Sequence, residues 1–306
     1  MSDVIPRAGD HADLEKWISE AEHDPQQQLI RRVIRLILHG IAHSPELREL
    51  MIIKGGVLLA TAYGTGRHTI DVDFSTRRLA GEVDLEALCH QLDQAVELSS
   101  QALSESLACR VQGWKLQPPS PESTFPTLRM RIGYAERGSK AQDRLNKGSS
   151  PHVVIVDLSF NEDPGSPVTL WVDGHGTLKA YSLESQIAEK FRALIQQQKR
   201  FRCRIRRQDA FDIFCVLEQG YFSSGDSRLA LVSAIVSSCR SRGIEADANS
   251  LAPAEIRERA AKEYDQLQFE IDGELPEFEA VFDRISQFYS DLPWDVVKVG
   301  SRPTVG

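Results

Sequence analysis

The chain has 306 residues, enough for one large domain or two ordinary ones, each burying its own core. Its 41% hydrophobic and 26% charged residues match a folded soluble protein and exclude a disordered or fibrous one. A formal net charge of -8 excludes a protein that coats nucleic acid through its overall field, so any contact with phosphates has to come from a local basic patch.

Ile30, Val33, Ile34, Ile37 and Ile41 recur at helical spacing and predict a helix that Pro45 ends. The run Leu50-Met51-Ile52-Ile53 predicts a short strand stopping at Lys54-Gly55-Gly56, and Val57 to Tyr63 resume a helical pattern. In Ile70-Asp71-Val72-Asp73-Phe74 apolar and acidic residues alternate, the pattern of a strand whose two carboxylates share a face. Asp84 to Leu107 predicts a long helix, followed by strands near Arg110 to Leu116, Leu128 to Tyr134 and His152 to Phe160. The polar stretch 135–151 predicts an exposed loop. From Ser182 onward the patterns are helical: Leu183 to Ile195, then roughly 206–219, 226–241, 252–262 and 276–291. The change of character divides the chain into a mixed α and β domain, 1–178, and a helical domain, 179–306.

Cys89, Cys109, Cys203, Cys215 and Cys239 stand singly with no C-x-x-C pair, which predicts neither a zinc knuckle nor a disulfide framework and fits a reducing cytoplasm. The first residues show neither the apolar core of a signal peptide nor an Arg-rich transit pattern. The longest apolar stretch, Val33 to Ile41, is broken by Arg35 and His39 and is too short to span a bilayer. A cytoplasmic protein with no membrane segment is expected.

Two aspartates one residue apart on a strand, Asp71 and Asp73, offer the hard oxygen ligands that hydrated Mg²⁺ prefers. A D-x-D alone is common on ordinary strand ends, so its context matters. Just upstream, Gly55-Gly56 sit where strand turns into helix, a place where backbone amides and the helix dipole hold phosphate oxygens; a plain tight turn is the competing reading. Asp157 lies in the apolar run Val153 to Leu158, which predicts a largely buried strand, so it either bonds local donors or faces a cation as a third metal ligand. Gln186 and Lys190 share a helical face with Glu189 beside them, and Lys190 could reach a triphosphate or belong to a solvated face. Lys199 to Arg207 crowds Arg200, Arg202, Arg204, Arg206 and Arg207 into an otherwise acidic chain, a density of charge that favours an anion or RNA site, with a solvated loop as the competing reading. Asp209 and Asp212 follow at helical spacing and could orient these bases or stand near the active centre.

Taken in order, these residues resemble one family. Lys54-Gly55-Gly56-Val57-Leu58-Leu59, Tyr63-Gly64, Arg67 and Asp71-Val72-Asp73-Phe74 resemble the first motif of the AbiEii/AbiGii toxin nucleotidyltransferases. Val156 to Phe160 is similar to that family's strand with a third acid, Ala180 to Lys190 to its helix, and Arg207 to Asp212 to its closing arginine and aspartate motif. Four ordered motifs over roughly residues 50–215 are more specific than any one. Two positions depart: Val57 stands where the family often has Ser or Thr, and Gln208 where a basic residue commonly precedes the aspartate.

The resemblance implies an α+β protein, a polymerase-β-like nucleotidyltransferase core of mixed sheet and helices with a helical C-terminal domain. It implies that Asp71 and Asp73 bind Mg²⁺ bridging the NTP phosphates, and that Asp157 holds a second metal or deprotonates the incoming hydroxyl. Lys54, Gly55, Gly56, Arg67, Glu189 and Lys190 would contact NTP, with Lys190, Asp209 and Asp212 counted among the catalytic residues. An NMP would pass to an acceptor, with tRNA held by the 200–207 arginines as the leading reading and a cognate antitoxin as partner. A small-molecule or protein nucleotidyltransferase, or an inactive subunit of a defence complex, are the alternatives.

Overall fold

The computed structural model describes residues 11–65, 67–120, 122–173, 176–199 and 206–299. The chain divides into two compact units: a sheet unit, which takes the chain as far as Gly64 together with His68–Tyr181, and a helical unit, which takes Thr65–Arg67 and the chain from Ser182 on.

In the sheet unit β1 (His11–Ala12) and α1 (Leu14–Ser19) precede α2 (Pro25–His43), whose start is set by Asp24 accepting from the amides of Gln26 and Gln27, with Pro25 in the first turn. Its buried stripe includes Val33, Ile34, Ile37 and Ile41, as the helical spacing predicts. Then come α3 (Pro45–Leu50), β2 (Ile52–Lys54), α4 (Gly55–Tyr63), β3 (Asp71–Ser75) and α5 (Leu85–Ala102), the last capped by Asp84. The unit closes with β4 (Leu107–Gln117), β5 (Thr127–Glu136), α6 (Lys140–Asn146), β6 (Val153–Ser159), β7 (Val168–Val172) and β8 (Gly176–Ala180). Among the described residues eight strands form one mixed sheet in the order β1-β7-β8-β2-β3-β6-β5-β4. The centre matters most for the site: β3 runs antiparallel to β2 and parallel to β6, and β6 is antiparallel to β5. Val72, Phe74, Val156, Leu158, Leu128 and Met130 point to the buried face, leaving the alternate residues of β3, β6 and the start of β5 on the more open one.

The helical unit is built from α7 (Leu183–Ile195), α8 (Arg207–Glu218), α9 (Gly225–Arg240), α10 (Ala254–Ala261), α11 (Phe278–Ser290) and α12 (Trp294–Val299). Its core gathers Ile187, Phe191, Leu194, Ile213, Val216, Val232, Ile235, Phe282 and Tyr289, the apolar stripes of α7, α8, α9 and α11. The mixed core and the helical C-terminal part predicted from the patterns are both present.

Two local differences have simple causes. The stretch expected to be an exposed loop at 135–151 contains the end of β5 and the helix α6, because Ser139 caps the amide of Gln142 and Leu145 anchors the turn against Ala108 and Ala135. Two helical turns carry one apolar anchor, too few to register as a period. The predicted helix to Leu107 stops at Ala102, where Ser104 takes a positive φ of 51° and the chain turns into β4. β6 is largely buried, as its apolar run predicts, with Val153, Ile155, Asp157 and Ser159 partly covered.

Among the described residues no helix is long and apolar enough to cross a membrane. Cys89, Cys109, Cys215 and Cys239 carry free thiols, and burial pushes the first three up to about 12 and the last to about 11. Cys203 lies outside the described residues.

Because Phe74 is fully buried behind the acidic pair, Phe74→Ala is expected to cost about 3–5 kcal/mol in denaturant unfolding, through lost burial and the cavity left behind.

Candidate active site

Gly55 opens α4 with φ of 80°, a conformation that favours glycine. A Cβ built there would lie 2.9 Å from Cβ and 3.0 Å from Cγ of Asp73, and closer still to its Oδ2. Two motifs that are eighteen residues apart in sequence, the glycine turn and the acid pair, are thus one contact. The turn expected to cradle phosphate has its Cβ position filled by the protein's own carboxylate, and Asp73 stands at the positive end of α4, where the helix dipole favours an anion. Beside it, Lys54 is opposite Asp73 in the β2–β3 register and is buried, its ammonium 5.6 Å from the Tyr181 ring centroid. The Ser75 hydroxyl donates to the Tyr181 hydroxyl at 3.0 Å, fixing that ring. Val57, where the family often has a hydroxyl, is fully buried in the first turn of α4. Its methyl groups pack the core under the glycine turn, so this position serves the fold.

Asp71 and Asp73 share the partly open face of β3, and Asp157 is directly opposite Asp73 on β6. Asp157 is in turn opposite Arg129 on β5. The guanidinium grips the carboxylate through both oxygens, Nε to Oδ1 at 2.9 Å and Nη2 to Oδ2 at 2.6 Å. Arg129 is held above its ordinary value first by this hydrogen bond and then, against burial, by the charges of Asp157, Asp71 and Asp73. Asp157 thus has a local donor in Arg129. Where three metal ligands were expected, the structure has a pair of carboxylates and a third engaged by arginine, and among the described residues no group of three or more acid, His or Cys side chains is gathered to hold an ion. The donor chemistry of Asp71 and Asp73, hard oxygens on a rigid strand, does suit a divalent cation. Arg129 was missed in the sequence. The alternation Leu128-Arg129-Met130-Arg131-Ile132 could have put both arginines on the polar face of a strand, but only strand order shows that Asp157 faces Arg129.

The remaining expected residues belong to the helical unit. Lys190 Nζ donates to Asp212 Oδ2 at 2.8 Å and to Asp209 Oδ1 at 3.2 Å. Arg67 reaches the same Asp212 through Nε at 3.0 Å and Nη2 at 3.3 Å, with Glu270 at 3.7 Å from its Nη1. Burial opposes charge on Lys190 and Asp212, but the neighbours win: Lys190 is raised by Asp212 and Asp209, and Asp212 is lowered by Arg67 and Lys190. Glu189 accepts from Arg192 at 2.8 Å, and Gln186 is buried. So Arg67 and Lys190, expected to meet NTP, are held by acids of their own unit. Of the basic cluster, Arg206 pairs with Asp209 at 3.1 Å, and Arg207 with Glu263 at 3.2 Å and Glu270 at 2.8 Å. Arg200, Arg202 and Arg204 lie outside the described residues.

Residues 36–284 match the family model described as nucleotidyl transferase AbiEii toxin, type IV toxin–antitoxin system. No curated protein matches the chain. Among solved structures, a crystal structure of a candidate nucleotidyltransferase from H. pylori matches with a TM-score of 0.49 at 16% identity, covering 90% of this chain and 98% of that one.

Two predictions follow from this geometry. Gly55→Ala is expected to shift Asp73 off the helix terminus while the core stays folded, visible as a displaced carboxylate in a crystal structure and an unfolding loss of about 1–3 kcal/mol from strain at a positive φ. In the helical unit, Lys190→Met leaves Asp209 and Asp212 short of a cation and is expected to lower stability by about 3 kcal/mol, since Asp212 keeps Arg67. The pH dependence has a definite sign. Asp212 is depressed, so its contribution is complete above the ordinary carboxylate value of 3.8 and is lost as pH falls below it. Lys190 is raised, so its contribution is complete below the ordinary lysine value of 10.5 and is lost only above that. Melting curves of wild type and Lys190→Met across pH should therefore differ most between those limits and converge outside them.

Proposed function

Since the chain belongs to the AbiEii nucleotidyl transferase toxin family, we propose that it moves a nucleoside monophosphate from an NTP to an RNA acceptor of the tRNA class, with a cognate antitoxin restraining it. The observation that carries this reading is the seating of Asp73 on Gly55 with Asp71 beside it on the same open strand face. A carboxylate pair held that rigidly, next to a helix N-terminus, is an arrangement suited to polyphosphate chemistry.

Asp71 and Asp73 would hold a divalent cation such as Mg²⁺, which when bound neutralises charge on the NTP phosphates. In the reaction an acceptor hydroxyl oxygen forms a bond to the α-phosphorus and the bond from that phosphorus to the bridging oxygen breaks. Pyrophosphate leaves with the electron pair, and the hydroxyl proton passes to a base or solvent. Positioning and charge neutralisation supply most of the rate, so rigidity of the acid pair is the protein's main contribution. Asp157 is the third acid of the centre, with Arg129 as its countercharge. Lys190 is assigned to the triphosphate as a point charge, for which it exchanges a carboxylate partner. Arg200, Arg202 and Arg204 are assigned to the RNA backbone.

Purified protein incubated with labelled NTPs and total tRNA tests the reading directly: label in tRNA supports it, and label only in protein or in small molecules overturns the acceptor. Asp73→Ala is expected to abolish transfer and growth toxicity with little loss of stability, because removing it relieves repulsion at an open face rather than opening a core cavity. Full activity in that variant would remove the acid pair from the mechanism. Lys190→Ala is expected to raise the KM for NTP at least tenfold while divalent-cation binding is kept; an unchanged KM with a lowered Tm would leave Lys190 a purely structural residue.

A further inference from the structure

The line of cross-strand neighbours through the acids does not end with them. Asp73 is opposite Asp157, Asp157 opposite Arg129, and Arg129 opposite Lys115 on β4. Directly opposed residues send their side chains to one face, so these four form a row across β3, β6, β5 and β4. Two residues along, the next row runs Asp71, Ile155, Arg131, Gly113. With strands about 4.8 Å apart, Lys115 begins about 10 Å from the position of Asp157. The face is therefore acidic over β3 and β6 and basic over β5 and β4.

The two outer cations differ from Arg129, Arg206 and Arg207. Lys115 and Arg131 are exposed, and among the described residues neither makes an ion pair, whereas Arg129 is taken by Asp157 and Arg206 and Arg207 are taken by carboxylates of the helical unit. The ground beside Arg131 is open. Its partner Gly113 follows a bulge in β4, and a Cβ added at Gly113 would meet nothing within 4 Å. In a chain of net charge -8, two uncompensated cations on the face that carries the acid pair are a local field for an anion that has to approach that pair.

We propose that Lys115 and Arg131 seat phosphodiester groups of the RNA acceptor, so that its reacting end is led over β4 and β5 toward Asp71 and Asp73. This rests on the RNA reading above and adds where on the chain the RNA lies. Contacts of this kind are to backbone and not to bases, so the seat is sequence-tolerant, and its strength falls with salt as counterions are exchanged.

The test uses the full chain with Lys115→Glu and Arg131→Glu combined, and a second form with Gln at both positions. Binding of unfractionated tRNA is followed by anisotropy at several salt concentrations, labelling of tRNA by transfer from NTP, and NTP binding separately. The seat requires that tRNA affinity and labelling fall about tenfold or more in the Glu form and less in the Gln form, that the slope of log affinity against log salt shrink by about 1–2, and that NTP binding be unchanged. Glu and Gln forms that bind and label tRNA as wild type does would overturn the seat while leaving the RNA reading standing. Wild-type protein that neither binds nor labels tRNA would overturn both. A Tm equal to wild type is expected for both forms because the two side chains are exposed; if the Glu form is destabilised, the Gln form decides.

Discussion

Asp73 can occupy its place only because residue 55 has no side chain and tolerates a positive φ. From this contact much of the sheet unit's geometry follows. β2 has to end at Lys54 so that α4 starts beside the carboxylate, and β3 has to run antiparallel to β2 so that Asp73 comes opposite Lys54. Alternation along β3 then sends Val72 and Phe74 into the core and Asp71 to the same side as Asp73. The fold holds the acid pair by backbone register, which needs no flexible side chain to position it.

The two units solve the problem of charge removed from water in different ways. On the sheet, opposite charges are set on neighbouring strands: Lys54 beside Asp73 and Asp157 beside Arg129. Repulsion among Asp71, Asp73 and Asp157 is offset by Arg129, which feels all three. In the helical unit a compact network joins Arg67, Lys190, Arg206 and Arg207 with Asp209, Asp212, Glu263 and Glu270, four charges of each sign. Asp212 at its centre is 1% exposed and is tolerable there because two cations share it. Arg67 enters this network from the segment between α4 and β3, which counts with the helical unit although both its flanks belong to the sheet unit.

What was legible in the sequence was what depends on neighbours along the chain. The period of α2, α7 and α11, the alternation in Asp71 to Phe74 and the strand-to-helix turn at Gly55 are local signals, and each predicted element is there. Short elements escaped. β7, β8 and α6 are five to seven residues long and carry too few apolar positions for a period. Partnerships escaped as well, because they are set by strand order: Arg129 lies 28 residues from Asp157, and Arg67 lies 145 from Asp212. The same limit affected the basic run before α8. Its density of positive charge was visible, whereas Glu263 and Glu270, which neutralise Arg207, come from more than fifty residues downstream.

Density of charge in sequence is therefore a poor guide to free charge in space. An arginine surrounded by other arginines attracts acids from its own fold, and once paired it contributes little field at a distance, particularly at ordinary salt where screening acts within about 8–10 Å. A lone lysine and a lone arginine on an edge region of sheet, such as Lys115 and Arg131, form no ion pair among the described residues and leave their charge for whatever approaches. For an acidic protein this distribution has a selective effect. The net negative charge repels polyanions on average, and Lys115 and Arg131 set a local attractive field on the face that carries Asp71 and Asp73. Net charge and local charge then act together, the first excluding unproductive contacts and the second directing the productive one.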